Sequence, residues 1–149
     1  MQRRHFLAGA AALISTNPLR ADVTPTLKIV KSPTCGCCGA WADKMQQAGF
    51  AIEITNVDQD VLYDTKDRLG ITPNLAGCHT AVIGEYFVEG HVPAEDIRRL
   101  LTEAPKALGI TVPGMPMGSP GMEMGDARDD FDVLLVLNDG STQVFASHA

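Results

Sequence analysis

Three of the four cysteines lie within four consecutive residues, in the sequence Cys35-Gly36-Cys37-Cys38. Cys35 and Cys38 alone form a Cys-x-x-Cys pair before a predicted helix, and the N–H groups at a helix start lower the pKa of a thiol. A dithiol redox pair has no use for Cys37, because this third thiol offers a competing partner. Three thiolates at this spacing can instead converge on Cu(I), Zn(II) or a small cluster, and the flanking glycines are expected to let the backbone fold around the metal.

The fourth cysteine, Cys78, is followed directly by His79. In a thioredoxin-like topology the strand after the second helix starts beside the loop after the first strand, so Cys78 is expected to complete a four-sulfur site. Side chains alternate along a strand, so only one of these two residues points to the site unless the strand begins irregularly there. Two ordinary disulfides are the alternative interpretation, because four cysteines allow three pairings.

Four methionines form a second group, Met115, Met117, Met122 and Met124. They lie in a short internal repeat, Gly-Met-Pro-Met-Gly followed by Gly-Met-Glu-Met-Gly. Thioethers suit Cu(I) and bind Zn(II) poorly, so in a chain that also carries the cysteine cluster the repeat favours copper. It would serve as a lid, an entry relay or a secondary site. The alternative is a loop that packs its methionines onto the core.

The remaining features of the sequence exclude several classes of function. His91 is expected to be a loop or capping residue, and His148 lies in a predicted C-terminal tail. The sequence has no Ser/His/Asp set, phosphate-binding Gly-rich loop or zinc-protease motif. Its 149 residues carry a net charge of −6 and no apolar stretch of the ~20 residues that a membrane span needs. The composition therefore argues against a membrane channel and against a binder of nucleic-acid phosphates.

The N-terminus reads as an export signal over residues 1–21. Arg3 and Arg4 precede the apolar run Phe6–Ile14, which resembles a twin-arginine signal, and an ordinary Sec signal with a chance arginine pair is the alternative. Cleavage after Ala21 would remove three of the 12 basic residues and none of the 18 acidic ones, which leaves a net charge of −9. The mature chain is therefore predicted to be acidic and periplasmic.

Alternating and amphipathic segments must position these residues. Residues 111–130 are rich in Pro and Gly and are predicted to form an irregular Met-rich loop. Trp41 and Met45 lie on one face of the first helix and are predicted to face the core of the protein. Strands are predicted at Thr26–Val30, Ala51–Val57, His79–Ile83, Tyr86–Val88, Phe131–Leu137 and Thr142–Phe145, and helices at Ala40–Ala48, from Asp58 or Asp60 to Leu69, and from Pro93 onward. This order predicts a single domain over residues 22–149. Its expected fold is α/β and thioredoxin-like, with a central mixed sheet, flanking helices and a C-terminal β-hairpin.

The motifs also resemble a known family. The segments that carry the resemblance are residues 31–41 around the cysteine cluster, 77–80 with Cys78 and His79, 88–93, 112–116 and 118–124. They are similar to those of small exported bacterial proteins, long described as a domain of unknown function and often encoded beside copper-resistance genes. The resemblance covers about residues 26–147. It implies a thioredoxin-like fold, copper handling, and a metal site at the Cys-x-Cys-Cys and Cys-His positions.

We therefore predict a periplasmic protein of copper tolerance that binds Cu(I), as a single ion or a multinuclear cluster. The predicted metal ligands are Cys35, Cys37, Cys38, Cys78, His79, Met115, Met117, Met122 and Met124. Copper ions and other periplasmic copper-handling proteins are the expected partners, with no nucleic acid and no membrane insertion after signal removal. A thiol–disulfide oxidoreductase, with Cys35 as nucleophile and Cys38 as resolving thiol, and a structural zinc protein are the alternatives. The sequence leaves open whether the protein has copper or thiol redox activity.

Overall fold

The computed structural model describes residues 25–149, so the predicted export signal lies outside the described residues. The chain forms seven strands and three helices over this range. The strands are β1 (Thr26–Lys31), β2 (Ala51–Asn56), β3 (Thr80–Ile83), β4 (Tyr86–Glu89), β5 (Ala107–Thr111), β6 (Phe131–Leu137) and β7 (Thr142–His148), and the helices are α1 (Gly36–Gln47), α2 (Gln59–Arg68) and α3 (Ala94–Glu103). None of the three helices is long and apolar enough to span a membrane.

All seven strands form one mixed sheet in the order β2-β1-β3-β4-β5-β6-β7. Two pairs are parallel, β1 with β2 through α1 and β4 with β5 through α3, and the other pairs are antiparallel. The predicted mixed α/β class and the C-terminal hairpin of β6 and β7 are confirmed. The thioredoxin-like assignment stays a prediction.

The main core lies between the sheet and the helices α1 and α3. Trp41 and Met45 of α1 are buried, as their helical spacing predicts, and they pack with apolar side chains such as Leu27 and Ile29 of β1. The Trp41 indole N–H donates to the carbonyl of Val92 at 2.9 Å, which satisfies its one polar atom in the core. This bond ties α1 to the segment between β4 and α3.

The first helix begins four residues earlier than the sequence predicts. It starts at Gly36 rather than Ala40, so Cys37 and Cys38 lie in its first turn and Cys35 is the residue before it. A Cβ added at Gly36 or Gly39 would meet no atom within 4 Å, and neither residue has a positive φ. Both glycines are helical, so helical geometry sets the spacing of the cysteines, and the expected folding of the backbone around a metal stays a prediction.

Candidate metal centre

The first half of the site is the N-terminal turn of α1. Strand β1 ends at Lys31, a short turn follows, and the Cys35 N–H donates to the carbonyl of Ser32 at 3.2 Å. Residues three apart lie on the same face of a helix, and Cys35 and Cys38 form a disulfide here. Cys37 is a free thiol, 3.6 Å from the Cys35 sulfur. Three sulfur atoms are thus displayed by a single turn.

The second half of the site comes from the segment before β3. The Cys78 sulfur lies 3.3 Å from that of Cys38 and 3.8 Å from that of Cys37. All four cysteine sulfurs lie within 4.8 Å of one another. The structure therefore brings the four cysteines together from positions about 40 residues apart in the chain, as the topological argument predicts.

His91 contributes an imidazole that the sequence analysis assigned to a loop or capping role. The residue does lie in a loop, but its Nε2 is 2.9 Å from the Cys78 sulfur. Its Nδ1–H donates to the carbonyl of Pro120 at 2.8 Å, so the lone pair of the neutral ring is on Nε2 and points at the sulfur. Burial lowers the pKa of His91, which favours this neutral form.

The two strands predicted at His79–Ile83 and Tyr86–Val88 contain a signal for His91. Strands β3 and β4 pair through the two-residue connection Gly84-Glu85, and Thr80 lies opposite Glu89. Continuing that register outward by two residues places His91 opposite Cys78. A register that stops at the predicted strand ends leaves out the pair of Cys78 and His91.

His79 also lies at the site, because β3 begins only at Thr80. Cys78 and His79 therefore precede the strand, and alternation does not direct them to opposite faces. The Nδ1 of His79 is 3.4 Å from the Cys78 sulfur, and its ring packs 4.4 Å from that of Trp41. Nε2 is buried without a hydrogen-bond partner within residues 25–149. Burial holds the pKa of His79 well below its usual value, so the ring is neutral and able to bind a metal.

The Cys78 thiol is protonated in the metal-free protein. Burial, together with the neighbouring Cys37 thiol, raises the pKa of Cys78 to about 12. A bound cation reverses this preference, because a thiol that coordinates a metal is deprotonated and releases its proton to solvent. The surroundings of Cys78 thus suit a metal-bound thiolate better than a free one.

The Met-rich loop lies against both halves of the site. Its first residue in the repeat, Gly114, pairs with Gly77, next to Cys78. Further along, Gly121 packs so closely on α1 that an added Cβ would lie 2.7 Å from the Trp41 nitrogen and 2.9 Å from the Cys37 oxygen. Residues 112–130 contain no helix or strand, as predicted, but these contacts fix the loop over the start of α1.

The four methionines of the loop differ in exposure. Met115 and Met124 expose 53% and 67% of their surface, and Met117 and Met122 are half-buried. The first two therefore do not fill the core, which argues against the packing alternative for them. Their role as metal ligands stays a prediction.

His148, expected in a C-terminal tail, is instead the last residue of β7. Its Nε2 lies 2.7 Å from Asp96 Oδ2. The sequence analysis missed this strand end because its pattern was read only as far as Phe145.

The donor atoms in this centre have a definite chemistry. Within residues 25–149, the groups of side chains that converge closely enough for one ion are the four cysteines and the trio of Cys78, His79 and His91. These groups offer sulfur and imidazole nitrogen, with no carboxylate. Such donors suit Cu(I) and Zn(II) and do not suit Mg²⁺ or Ca²⁺.

Comparisons with known proteins agree with this chemistry. Residues 75–122 match the family model described as "Protein of unknown function, DUF411". No curated protein sequence matches the chain. Two solved structures of copper resistance protein CopG do: form 2 is 39% identical, covering 84% of this chain and 98% of its own, with a TM-score of 0.78. Form 1 is also 39% identical, covering 83% and 96%, with a TM-score of 0.77.

The similarity and the cysteine cluster together suggest a copper-related function. The identity extends over nearly the full length of both solved chains. The chain belongs to the family of copper resistance protein CopG, with the DUF411 match falling on the segment that contains Cys78, His79 and His91.

Proposed function

We propose that this protein binds Cu(I) in the periplasm and serves copper tolerance. The observation that carries the proposal is the convergence of four cysteine sulfurs and the His91 Nε2 from separate segments of the chain. Thiolate and imidazole are the donors that Cu(I) prefers. The periplasmic location rests on the export-signal pattern of residues 1–21.

Several Cu(I) ions fit this donor set better than one. A single Cu(I) among four thiolates leaves a large net negative charge, and Cys38 at least is fully buried. Removing an uncompensated charge from water is costly. Cu(I) ions that share bridging thiolates reduce that charge, so the proposed site is a multinuclear copper–thiolate cluster with His79 and His91 as nitrogen donors at its edge.

The Met-rich loop favours copper over zinc. Its exposed thioethers, Met115 and Met124, lie on the loop that covers the site. They are suited to capture Cu(I) at the surface, and the half-buried Met117 and Met122 offer two further thioethers on the same loop. Zn(II) binds thioethers poorly, so a structural zinc site gives these residues no role.

The full set of four thiolates requires the Cys35–Cys38 disulfide to be reduced. The disulfide removes two of the four thiolates and leaves Cys37 and Cys78 as free thiols. We therefore expect the oxidised protein to bind less copper than the dithiol form.

The same disulfide favours a second candidate function, thiol–disulfide exchange. It lies at the start of α1, where the helix N-terminus stabilises a thiolate. Cys35 is half-buried and Cys38 fully buried, so Cys35 would attack a substrate and Cys38 would resolve the mixed disulfide.

Substitution of Cys37 separates the two functions. Reduced, anaerobic wild-type protein is expected to bind more than one Cu(I) with sulfur ligation in X-ray absorption spectra. Cys37→Ser should lower the copper count because it removes the thiol between Cys35 and Cys78. Gly39→Ser is the control, since it adds the same side chain to the first helical turn where no atom lies within 4 Å.

The outcomes are distinct. A copper count that falls in Cys37→Ser but not in Gly39→Ser supports the copper proposal. Reduced wild-type protein that binds no Cu(I), together with disulfide exchange that persists in Cys37→Ser, supports the oxidoreductase and contradicts copper binding. Zn(II) retained through purification, with no effect of replacing the four loop methionines by leucine, supports the structural zinc alternative.

A further inference from the structure

A buried ion pair lies directly behind Cys78. Lys66 of α2 and Glu89 at the end of β4 are both buried, and the Lys66 ammonium donates to Glu89 Oε1. Lys66 also donates to the Thr80 hydroxyl at 2.9 Å, and that hydroxyl donates to Glu89 Oε2 at 2.6 Å. Every partner in this network is inside the protein.

The network holds both ends of the segment that carries the site residues Cys78 and His79. On one side, the Gly77 N–H donates to Glu89 Oε1 at 2.6 Å. On the other side, Thr80 is bound through its hydroxyl. The Glu89 side chain thus contacts the residues immediately before and immediately after the Cys78-His79 pair.

The backbone around Gly77 is closely packed against two other segments of the chain. A Cβ at Gly77 would lie 2.5 Å from the Gly90 Cα, and one at Gly90 would lie 2.4 Å from the Val112 oxygen. Three chain segments are therefore in direct backbone contact at this point. A small shift of Gly77 would move Cys78 relative to the cysteines of α1.

Stability alone does not account for the pair. Replacing a buried ion pair by apolar side chains of similar volume is often neutral or stabilising, because two charges must be taken out of water. Burial raises the pKa of Glu89, while Lys66, Thr80 and the Gly77 N–H oppose that rise. A carboxylate is kept here at a cost, and besides Lys66 its partners are the Gly77 N–H and the Thr80 hydroxyl, from the two residues that flank Cys78 and His79.

We propose that Glu89, neutralised by Lys66, is a positioning residue that fixes Cys78 within reach of the α1 cysteines by accepting hydrogen bonds from the Gly77 N–H and the Thr80 hydroxyl. The proposal deepens the proposed copper site and rests on it for its functional meaning. Glu89 acts through the backbone and is not itself a ligand. Its distance-setting role can be measured without metal.

The metal-free test uses the rate of disulfide formation to report how close Cys78 lies to Cys38. In a Cys35→Ser/Cys37→Ser background, Cys38 and Cys78 remain with their sulfurs 3.3 Å apart, and a limiting oxidant should join them. Two charge-free pairs are compared in that background. Lys66→Met/Glu89→Gln keeps an oxygen that accepts the Gly77 N–H, and Lys66→Met/Glu89→Met removes it.

We expect the glutamine pair to form the Cys38–Cys78 disulfide within about threefold of the background rate, and the methionine pair at least about tenfold more slowly. Urea unfolding of the two double variants, both kept reduced, shows whether they are equally folded. If the methionine pair is unfolded, Thr80→Val replaces it, since it removes the other contact of Glu89 with this segment. Slowing of at least threefold by Thr80→Val supports the proposal, and an unchanged rate overturns it.

Equal rates in the glutamine and methionine pairs overturn the positioning role. In the otherwise wild-type protein, the methionine pair should bind Cu(I) about 10- to 100-fold more weakly and the glutamine pair within about threefold. Failure of wild-type protein to bind Cu(I), with the disulfide rates as expected, contradicts the copper site but not the positioning. Normal copper binding by the methionine pair with slowed disulfide formation contradicts the functional meaning given to the positioning.

Discussion

Substitution of Gly121 tests whether the Met-rich loop holds His91 in its metal-binding form. Gly121 has a φ of +85° and packs on the backbone of α1, where an added Cβ would lie 2.7 Å from Trp41 N. An ordinary contact begins near 3.4 Å, so Gly121→Ala must push the loop and helix apart by about 0.5–0.7 Å. Pro120, the acceptor of the His91 Nδ1–H, is the preceding residue and moves with the loop.

Gly125 supplies a matched control. It also has a positive φ, of +63°, but an added Cβ there meets no atom within 4 Å. Alanine in this left-handed conformation costs about 1–2 kcal/mol at either position. Gly121→Ala has two further costs in stability. It weakens the His91–Pro120 hydrogen bond, which costs about 1 kcal/mol, and it disturbs the exposed Lys44–Glu123 pair, which costs about 0–1 kcal/mol. We expect a total loss of about 3 kcal/mol for Gly121→Ala.

Urea unfolding of the metal-free protein measures the loss of stability, and competition with a chromophoric Cu(I) chelator measures the copper affinity. Copper affinity should fall about 10- to 100-fold in Gly121→Ala, since a partner that orients a ligating histidine is displaced. Gly125→Ala should bind copper within about threefold of wild type. Equal copper affinities in the two variants would refute the argument that the loop orients His91.

Two further predictions concern the metal-free protein. His79 and His91 have lowered pKa values in the fold and ordinary ones when unfolded, so their contribution to stability is present above about pH 6.5 and is lost as pH falls. Below pH 6.5 the free energy of unfolding, measured with urea, should fall by up to about 1.4 kcal/mol per pH unit for each histidine. His79→Gln should show about half of the wild-type slope. Equal slopes in the two proteins contradict this prediction. The pKa of Cys78, about 12, predicts that iodoacetamide at pH 8 alkylates it about 100-fold more slowly than an unstructured peptide thiol. Peptide mass spectrometry measures this rate, and equal rates contradict the prediction.

The sequence pattern predicts six of the seven strands of the sheet and does not predict β5. The sequence predicts β1, β2, β3, β4, β6 and β7, because each of them shows alternation or flanks a tight turn. Strand β5 was missed, since its five residues include Gly109, a poor strand residue. The structure explains that glycine: a Cβ there would lie 2.2 Å from the Phe87 oxygen of the neighbouring strand. Tertiary contact, not local preference, determines this strand.

Helix α1 shows the same limit at the site itself. Gly36, Cys37, Cys38 and Gly39 have low helix propensity, so the pattern placed the helix start after them. In the fold, the burial of Cys38 and Trp41 keeps this turn helical. The cysteine spacing was readable from the sequence because it is local. The Lys66–Glu89 pair was not, because it joins residues 23 apart on two elements and leaves no periodic signal.

The direction of the strands explains why one edge of the sheet collects all of this chemistry. Strand β3 runs antiparallel to β1, with Val30 opposite Thr80. The end of β1, which leads to the cysteines of α1, therefore lies at the same edge as the start of β3, which follows Cys78. Strand β4 returns to that edge and continues to His91. Strand β5 is parallel to β4, so the Met-rich loop leaves from the same edge. The sulfur, imidazole and thioether donors therefore belong to four connections that the sheet holds side by side, and the proposed metal would join all four.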